Sequence, residues 1–341
     1  IENKSTQSVI YIDFSKAFDS VSRPKLIAKL HGYGVKGDLL SLIDDFLTSR
    51  QQRTRVGKCL SDSIDLSSGI VQGSCIGPLL FVLFINDITC IFDPDITPKL
   101  YADDVKLYAT VETNTDMIHL QENLDRLTAW ANTWQLTISI KKCNVLQIRR
   151  NRNKNPPAVF CIDNTPLPNV ETVADLGVMV DSELKFSPHI CTMVRKAHTR
   201  SRLLLKCFVS RDKPTLVKAF MTYVLPIVEY CSTVWSPHLI KDIEMVEAVQ
   251  RRFTKRLPGL RNVPYLERLK TLGLERLDIR RLKIDLIMTY KILFGLTCLR
   301  SEQFFHLSPI RTTRGHQYKL FMPNITSDIR KYFFCSRVLQ A

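Results

Sequence analysis

The stretch Leu100-Tyr101-Ala102-Asp103-Asp104-Val105-Lys106-Leu107-Tyr108-Ala109 decides how this chain is read. Two short, strand-forming apolar runs flank an acidic pair, the pattern of a β-hairpin with carboxylates at its tip. A second strand candidate lies far upstream: Val9-Ile10-Tyr11-Ile12 is β-branched and aromatic, and it ends at Asp13. Neighbouring strands lie about 4.8 Å apart, so adjacent strand ends can gather these carboxylates at one place. Crowded carboxylates repel one another unless cations neutralise them. Hard oxygen donors of this kind suit Mg²⁺, which takes one or two carboxylates together with substrate phosphates. Two such ions about 3.5–4 Å apart would clamp the attacking and leaving oxygens of an in-line phosphoryl displacement. The competing interpretation is a plain surface turn, where Asp-Asp pairs are common.

Working outward, Ser22 and Pro24 mark the start of a short helix carrying Leu26, Ile27 and Leu30. Leu39, Leu42, Ile43, Phe46 and Leu47 follow at helical spacing. Pro78 opens an almost wholly apolar helix, Leu79 to Ile88, expected to be buried all round. Met117, Leu120, Leu124, Leu127, Ala131 and Trp134 trace one face of a long amphipathic helix. Short strands are expected at 136–140 and 145–148, then a polar break at 151–157. Hairpins follow, one turning at Asp163-Asn164. From Ser187-Pro188 onward the pattern is helical.

Three blocks stand in order: Asp13-Phe14-Ser15-Lys16-Ala17-Phe18-Asp19, then Gly69-Ile70-Val71-Gln72-Gly73-Ser74-Cys75-Ile76-Gly77-Pro78, then Tyr101-Ala102-Asp103-Asp104. Together they resemble the palm of reverse transcriptases, and more narrowly the jockey-like enzymes of non-LTR (LINE-type) retrotransposons. The resemblance is close over residues 9 to about 190 and looser beyond. It implies an α+β palm, a ferredoxin/RRM-like antiparallel sheet with helices, over residues 1–188. A helical thumb over 189–260 and a basic helical C-terminal extension over 261–341 would follow.

The resemblance also implies roles. Asp13 and Asp103 would bridge two Mg²⁺ ions (Mn²⁺ being an alternative), with Asp104 completing the site and the Phe14 carbonyl touching a metal. Phe18 stands where the family places an aromatic gate against the ribose 2′-hydroxyl; plain core packing is its other reading. Gln72 and Gly73 would face the incoming nucleotide and template. Lys142 matches a lysine that protonates the leaving pyrophosphate, although Ser139 replaces an Asn common in the family. Leu176-Gly177 resembles the hairpin that grips the primer. Lys196, Arg200, Arg202, Arg251, Arg252, Lys255 and Arg256 would face template–primer phosphates. Arg311-Thr312-Thr313-Arg314-Gly315 resembles tail sequence of these elements, with no role attached. The implied activity is RNA-directed DNA synthesis from dNTPs on an RNA template and a DNA primer or target. Two other readings fit the same residues: an inactive remnant that only binds nucleic acid, and an RNA-dependent RNA polymerase.

Composition supports a polyanion partner. The 341 residues carry a formal charge of +15. Residues 1–189 contribute −2 and residues 190–341 contribute +17, so the basic excess lies wholly in the C-terminal part. Hydrophobic content of 45% and charged content of 24% exclude wholesale disorder. Ten scattered cysteines without a C-x-x-C pair signal neither a zinc ribbon nor a disulfide scaffold. They point to an intracellular setting, nucleus or cytoplasm. The longest apolar run is too short for a bilayer, and no secretory signal is read at the N-terminus. A start at Ile1 suggests a piece of a longer polypeptide, without the fingers and endonuclease of the family.

Overall fold

In a computed structural model, residues 6–148, 158–308, 318–325 and 327–340 are described. The polar break at 151–157 and the segment Arg311–Gly315 lie outside them. The chain divides into two compact units, residues 3–173 and 174–341.

The first unit is built on a five-stranded sheet. Its strands are β1 (Gln7–Ile12), β2 (Thr97–Tyr101), β3 (Asp104–Thr110), β4 (Asn144–Ile148) and β5 (Asn169–Val170), in the spatial order β5-β4-β1-β3-β2. β1 is central and pairs antiparallel with both β3 and β4. Register and pleat separate two faces. Ile10 opposes Leu107 and Ile12 opposes Val105, and all four are buried in one core. Tyr11 opposes Lys106 and Val9 opposes Tyr108 on the other face.

Helices Arg23–Gly32, Gly77–Ile85 and Asn114–Trp134 contribute Leu26, Leu30, Phe81, Phe84, Leu120, Leu124 and Leu127 to that core. Each such side chain is worth about 1.5–3 kcal/mol when fully buried. The long helix starts with a capping box between Thr113 and Asp116.

Three expectations are corrected. Residues 136–140 form no strand, Ile138 making only an isolated bridge to Phe14 before a 3₁₀ turn at Ile140–Lys142. The sheet is mixed rather than antiparallel, because β5 pairs parallel with β4; alternation in so short a strand carries no sign of direction. The apolar helix is not buried all round. It ends at Ile85, passes into a 3₁₀ segment Asn86–Ile91, and leaves Leu79 59% and Val82 46% exposed. Uniform apolarity reveals no preferred face, so the open stripe was invisible in the sequence.

The strand Thr172–Asp175 begins in the last residues of the first unit and joins Val178–Asp181 across Leu176-Gly177, beyond which the second unit is helical. Helices Ser187–Cys207, Lys213–Tyr223 and Ile240–Lys255 enclose a core that includes Ile190, Ala197, Phe220, Val249 and Phe253. The Phe220 and Phe253 rings stack with centroids 4.4 Å apart. The last helix, Phe334–Val338, is fastened to helix Leu277–Leu293 by Arg337, whose Nε and Nη2 both donate to Asp285 at 2.9 Å. Among the described residues, no helix is long and apolar enough to cross a membrane.

Candidate active site

Asp13 is the residue after β1. The register ends at the pair Ile12–Val105, and Asp13 follows Ile12 just as Asp104, the first residue of β3, precedes Val105. By alternation both carboxylates belong to the face opposite the helices. Tyr101 pairs with Asp104 across the hairpin, leaving Ala102 and Asp103 as a two-residue loop with Ala102 at φ 52°. The expected tip therefore forms, with Asp104 drawn into the strand and Asp103 left in the turn.

The backbone beyond Asp13 is held by a second strip of chain. Ser139 N–H donates to the Asp13 carbonyl at 2.8 Å, Ser15 N–H donates to the Thr137 carbonyl at 2.8 Å, and Phe14 bridges Ile138. The chain then turns through Ile140–Lys142, and Lys142 Nζ reaches Asp13 Oδ1 at 3.3 Å. Lys142 is 67% exposed, so this ion pair adds at most about 1 kcal/mol to stability. Beneath it lies Cys143, whose thiol accepts from the Asp13 amide at 3.5 Å. Burial pushes that thiol's pKa up, which keeps it protonated and unreactive. The Phe14 ring is buried in the core, so any role it has at the site falls to its backbone carbonyl.

The other end of the same segment holds the glutamine-glycine block. Ile70 N–H donates to the Phe18 carbonyl at 2.9 Å, Gly69 N–H donates to the Val21 carbonyl at 2.8 Å, and Ser68 Oγ donates to the Asp19 carbonyl at 2.9 Å. Gly69 adopts φ +87°, and a Cβ there would stand 2.8 Å from the Asp19 carbonyl oxygen. Gln72 Nε2 donates to Asp19 Oδ1 at 2.8 Å, which fixes an otherwise exposed side chain. Gly73 adopts φ +84° with open space where a Cβ would stand. Phe18 is half-buried and stacks on Phe81, centroids 4.2 Å apart.

Residues 13–19 are thus the junction of all three blocks. Of the expected residues, Asp13 and Lys142 meet at one end, just beyond the last pair of the strands that carry Asp13 and Asp104, with Asp103 in the adjoining turn. Phe18, Gln72 and Gly73 gather at the other. Sequence reading gave no part to Asp19, Phe81 or Cys143. Asp19 stood inside the quoted block, but nothing local announced Gln72 as its partner.

Among the described residues, which include Asp13, Asp103 and Asp104, no three His, Cys, Asp or Glu side chains are grouped so that they could hold a metal ion. The donor set nonetheless fits Mg²⁺, which is characteristically held by one or two carboxylates plus water and substrate phosphates rather than by an all-protein cage.

In the second unit, Leu176 (φ 45°) and Gly177 (φ 86°) form a two-residue turn with both residues left-handed, as a type I′ hairpin requires. Tyr230 Oη donates to the Leu176 carbonyl at 2.8 Å, and a Cβ on Gly177 would lie 3.3 Å from the Tyr230 ring. Tyr230 therefore sets the pose of this turn.

Residues 1–180 match the family model described as reverse transcriptase (RNA-dependent DNA polymerase). The chain is 26% identical over 272 residues to the RNA-directed DNA polymerase from mobile element jockey of Drosophila funebris, covering 76% of this chain and 29% of that protein. It is 24% identical over 268 residues to the probable RNA-directed DNA polymerase from transposon X-element of Drosophila melanogaster, with the same shares covered. The chain thus spans about 29% of the length of these curated relatives. Among solved structures it is similar to apo telomerase from Candida tropicalis, with a TM-score of 0.43 and 9% identity, covering 78% of this chain and 42% of that one. Since the family match takes in more than half of the chain, and its residues include the whole junction built on 13–19, this chain belongs to the reverse transcriptase (RNA-dependent DNA polymerase) family.

Proposed function

We propose that this chain is the polymerase portion of a non-LTR retrotransposon enzyme that extends a DNA primer with dNTPs on an RNA template. Residues 1–188 act as palm, 189–260 as thumb and 261–341 as a basic extension. The observation that supports this most is the pairing of β1 with β3, whose last pair, Ile12–Val105, adjoins Asp13 on one strand and Asp104 on the other, at the hairpin where Asp103 turns.

Asp13 and Asp103 are the residues that would hold two divalent ions, with Asp104 beside them. Such ions supply Lewis-acid stabilisation of the oxygens around the phosphorus under attack. In the reaction the primer 3′-oxygen, having given its proton to solvent water, forms a bond to the α-phosphorus. The bond from that phosphorus to the bridging oxygen breaks, and pyrophosphate leaves. Lys142 is the proton donor to the leaving group, and its contact with Asp13 at 3.3 Å keeps its ammonium at the site. The Phe18 ring, backed by Phe81, forms a flat floor under the sugar that excludes a 2′-hydroxyl. Gln72, held by Asp19, faces the nucleotide, and the open space at Gly73 lets backbone approach it. Leu176-Gly177 holds the primer strand.

Primer extension tests the reading. With an RNA template, a DNA primer, dNTPs and Mg²⁺, the chain should add nucleotides. Asp13→Asn should lower the rate by about 10²–10³-fold, since metal stabilisation is worth several kcal/mol at 1.36 kcal/mol per tenfold. Equal extension by Asp13→Asn and the parent chain would refute it.

A further inference from the structure

The strip Ser68–Gln72 has its donors and its acceptors held by different parts of the first unit. The donors go to residues 18–21: Ser68 Oγ to the Asp19 carbonyl, the Gly69 amide to the Val21 carbonyl, the Ile70 amide to the Phe18 carbonyl, and Gln72 Nε2 to Asp19 Oδ1. The first two carbonyls go to one side chain. Arg50 Nη2 donates to the Ser68 carbonyl at 2.9 Å and to the Gly69 carbonyl at 2.5 Å. Its Nε donates to the Leu47 carbonyl at 3.1 Å. The strip is thus held from both sides, and Gly69 within it is buried.

Arg50 stands at a three-way junction. Leu47 ends the helix Gly37–Leu47, where a cation meets the negative end of the helix dipole. Arg50 also opens a two-stranded arm, in which Arg50–Gln52 pairs with Ile64–Leu66 and Arg55–Val56 pairs with Cys59–Leu60. Residues 51–65 are all exposed, while Arg50 and Leu66, opposed at the base of the arm, are half-buried. All three hydrogen bonds of Arg50 go to main-chain carbonyls, and among the described residues it has no carboxylate partner. A rigid guanidinium fork suits successive carbonyls in a way that an ammonium on a flexible stem does not. Arg55 differs: its Nε donates to the Gly57 carbonyl at 3.0 Å and serves only the tip of the arm.

We infer that Arg50 is a positioning residue for the incoming nucleotide, fixing the carbonyl side of the strip whose other end presents Gln72 and Gly73. Without it the Ser68 and Gly69 carbonyls lose their partner and the strip is held from one side only. A displaced Gln72 then binds the nucleotide less well in ground state and transition state alike, which raises KM and leaves kcat. The competing role is a helix-end charge alone, which any cation at position 50 would fill. That a nucleotide lies against this turn rests on the polymerase reading; the hold on the strip does not.

Steady-state primer extension with dNTP varied compares the parent chain with Arg50→Ala, Arg50→Lys and Arg55→Ala, after melting curves establish that each is folded. KM for dNTP should rise about tenfold in Arg50→Ala, the worth of a charge-assisted hydrogen bond, and about fivefold in Arg50→Lys, which keeps the charge but loses the fork. In both, kcat should stay within about twofold of the parent. Arg55→Ala removes the same charge from the same arm and should leave KM within about twofold. Parent-level KM in Arg50→Ala would overturn the inference. Parent-level KM in Arg50→Lys would do so too, by reducing Arg50 to a helix-end charge. An equal rise in Arg55→Ala would also overturn it, by making the effect general attraction for a polyphosphate. Should Arg50→Ala fail to fold, Arg50→Lys carries the test alone. A second arm needs no turnover, so it decides even if the parent extends no primer, a result that would count against the polymerase reading and not against Arg50. Amide hydrogen exchange over 69–72 should quicken about tenfold in both Arg50 variants while exchange at 137–139 keeps the parent rate. Unchanged exchange at 69–72, or equal quickening in both places, would overturn the hold on the strip.

Discussion

Gln72 Nε2 donates to Asp19 Oδ1 at 2.8 Å, so the last residue of one sequence block orients the glutamine of another. Neither residue is buried, and the bond is therefore a positioning device more than a source of stability. Asp19→Ala should raise the KM for dNTP by about fivefold, the worth of one solvent-accessible charge-assisted hydrogen bond of about 1 kcal/mol. The melting temperature should hardly move. Asp19→Asn, which still accepts the bond, should retain most of the parent's KM. Steady-state kinetics at saturating primer–template reads both.

Two glycines of the second block should respond differently to alanine. At Gly69 a methyl group meets the Asp19 backbone at 2.8–2.9 Å with φ at +87°, and a carbonyl cannot swing aside like a side chain. Gly69→Ala should cost about 2–4 kcal/mol, from left-handed strain plus overpacking. Gly73→Ala carries only the strain, about 1–2 kcal/mol, because the space beside it is open. Urea unfolding separates the two. Primer extension should then show Gly73→Ala losing activity out of proportion to its stability.

The first unit also depends on a lysine that its sequence context does not advertise. Lys29 is 7% exposed; its ammonium donates to Asp87 Oδ1 at 2.6 Å and to the Phe84 carbonyl, and lies 3.6 Å from the Trp134 ring centroid. Burial lowers its pKa, partly opposed by Asp87. Lys29→Ala should destabilise the chain by about 3 kcal/mol, since Asp87 and a buried carbonyl lose their partner. Lys29→Met, which keeps the stem and its aromatic packing, should cost less than half of that. Chemical denaturation of the two variants checks the ordering.

What the sequence made legible was local. The strand ending in Asp13, the acidic hairpin, the 3.6-residue face of the helix Asn114–Trp134 and the turns at Asp163-Asn164 and Leu176-Gly177 each follow from patterns within a few residues. What it hid was pairing at a distance. Lys142 meets Asp13 only because the strip 137–139 runs back along residues 13–15. Phe18 stacks on Phe81, 63 positions away, though periodicity alone suggested only core packing for it. The parallel direction of Asn169–Val170 and the open face at Leu79 and Val82 are likewise set by neighbours that no local window contains.

An acid–histidine network on the first unit sets a pH window. Arg126, Asn123 and His119 bond to Asp93 and lower its pKa from 3.8 to about 2. The same contact with Asp93 raises His119 above 6.5. A depressed carboxylate contributes stability above its unfolded value, lost as pH falls through its folded value. A raised histidine contributes below its unfolded value and loses that contribution as pH rises through its folded value. The network is therefore complete between about pH 4 and 6.5. His119→Gln should remove its share of the decline on the alkaline side while leaving the acid limb, and Asp93→Asn should flatten both. Melting temperatures from about pH 2 to about pH 8.5, a span of roughly two units beyond each edge, test this.

The central claim is that Asp13 and the hairpin acids act on one shared cation site, and Mn²⁺ binding tests it without requiring turnover. Electron paramagnetic resonance of free Mn²⁺ can be followed as the full chain is titrated in the presence of dNTP and primer–template. Asp13→Asn and Asp103→Asn should each weaken binding by about tenfold or more, about 1.4 kcal/mol. The double variant should be little worse than either single, because removing one ligand already dismantles the site. Parent-level Mn²⁺ affinity in both single variants, or losses that simply multiply in the double, would contradict it.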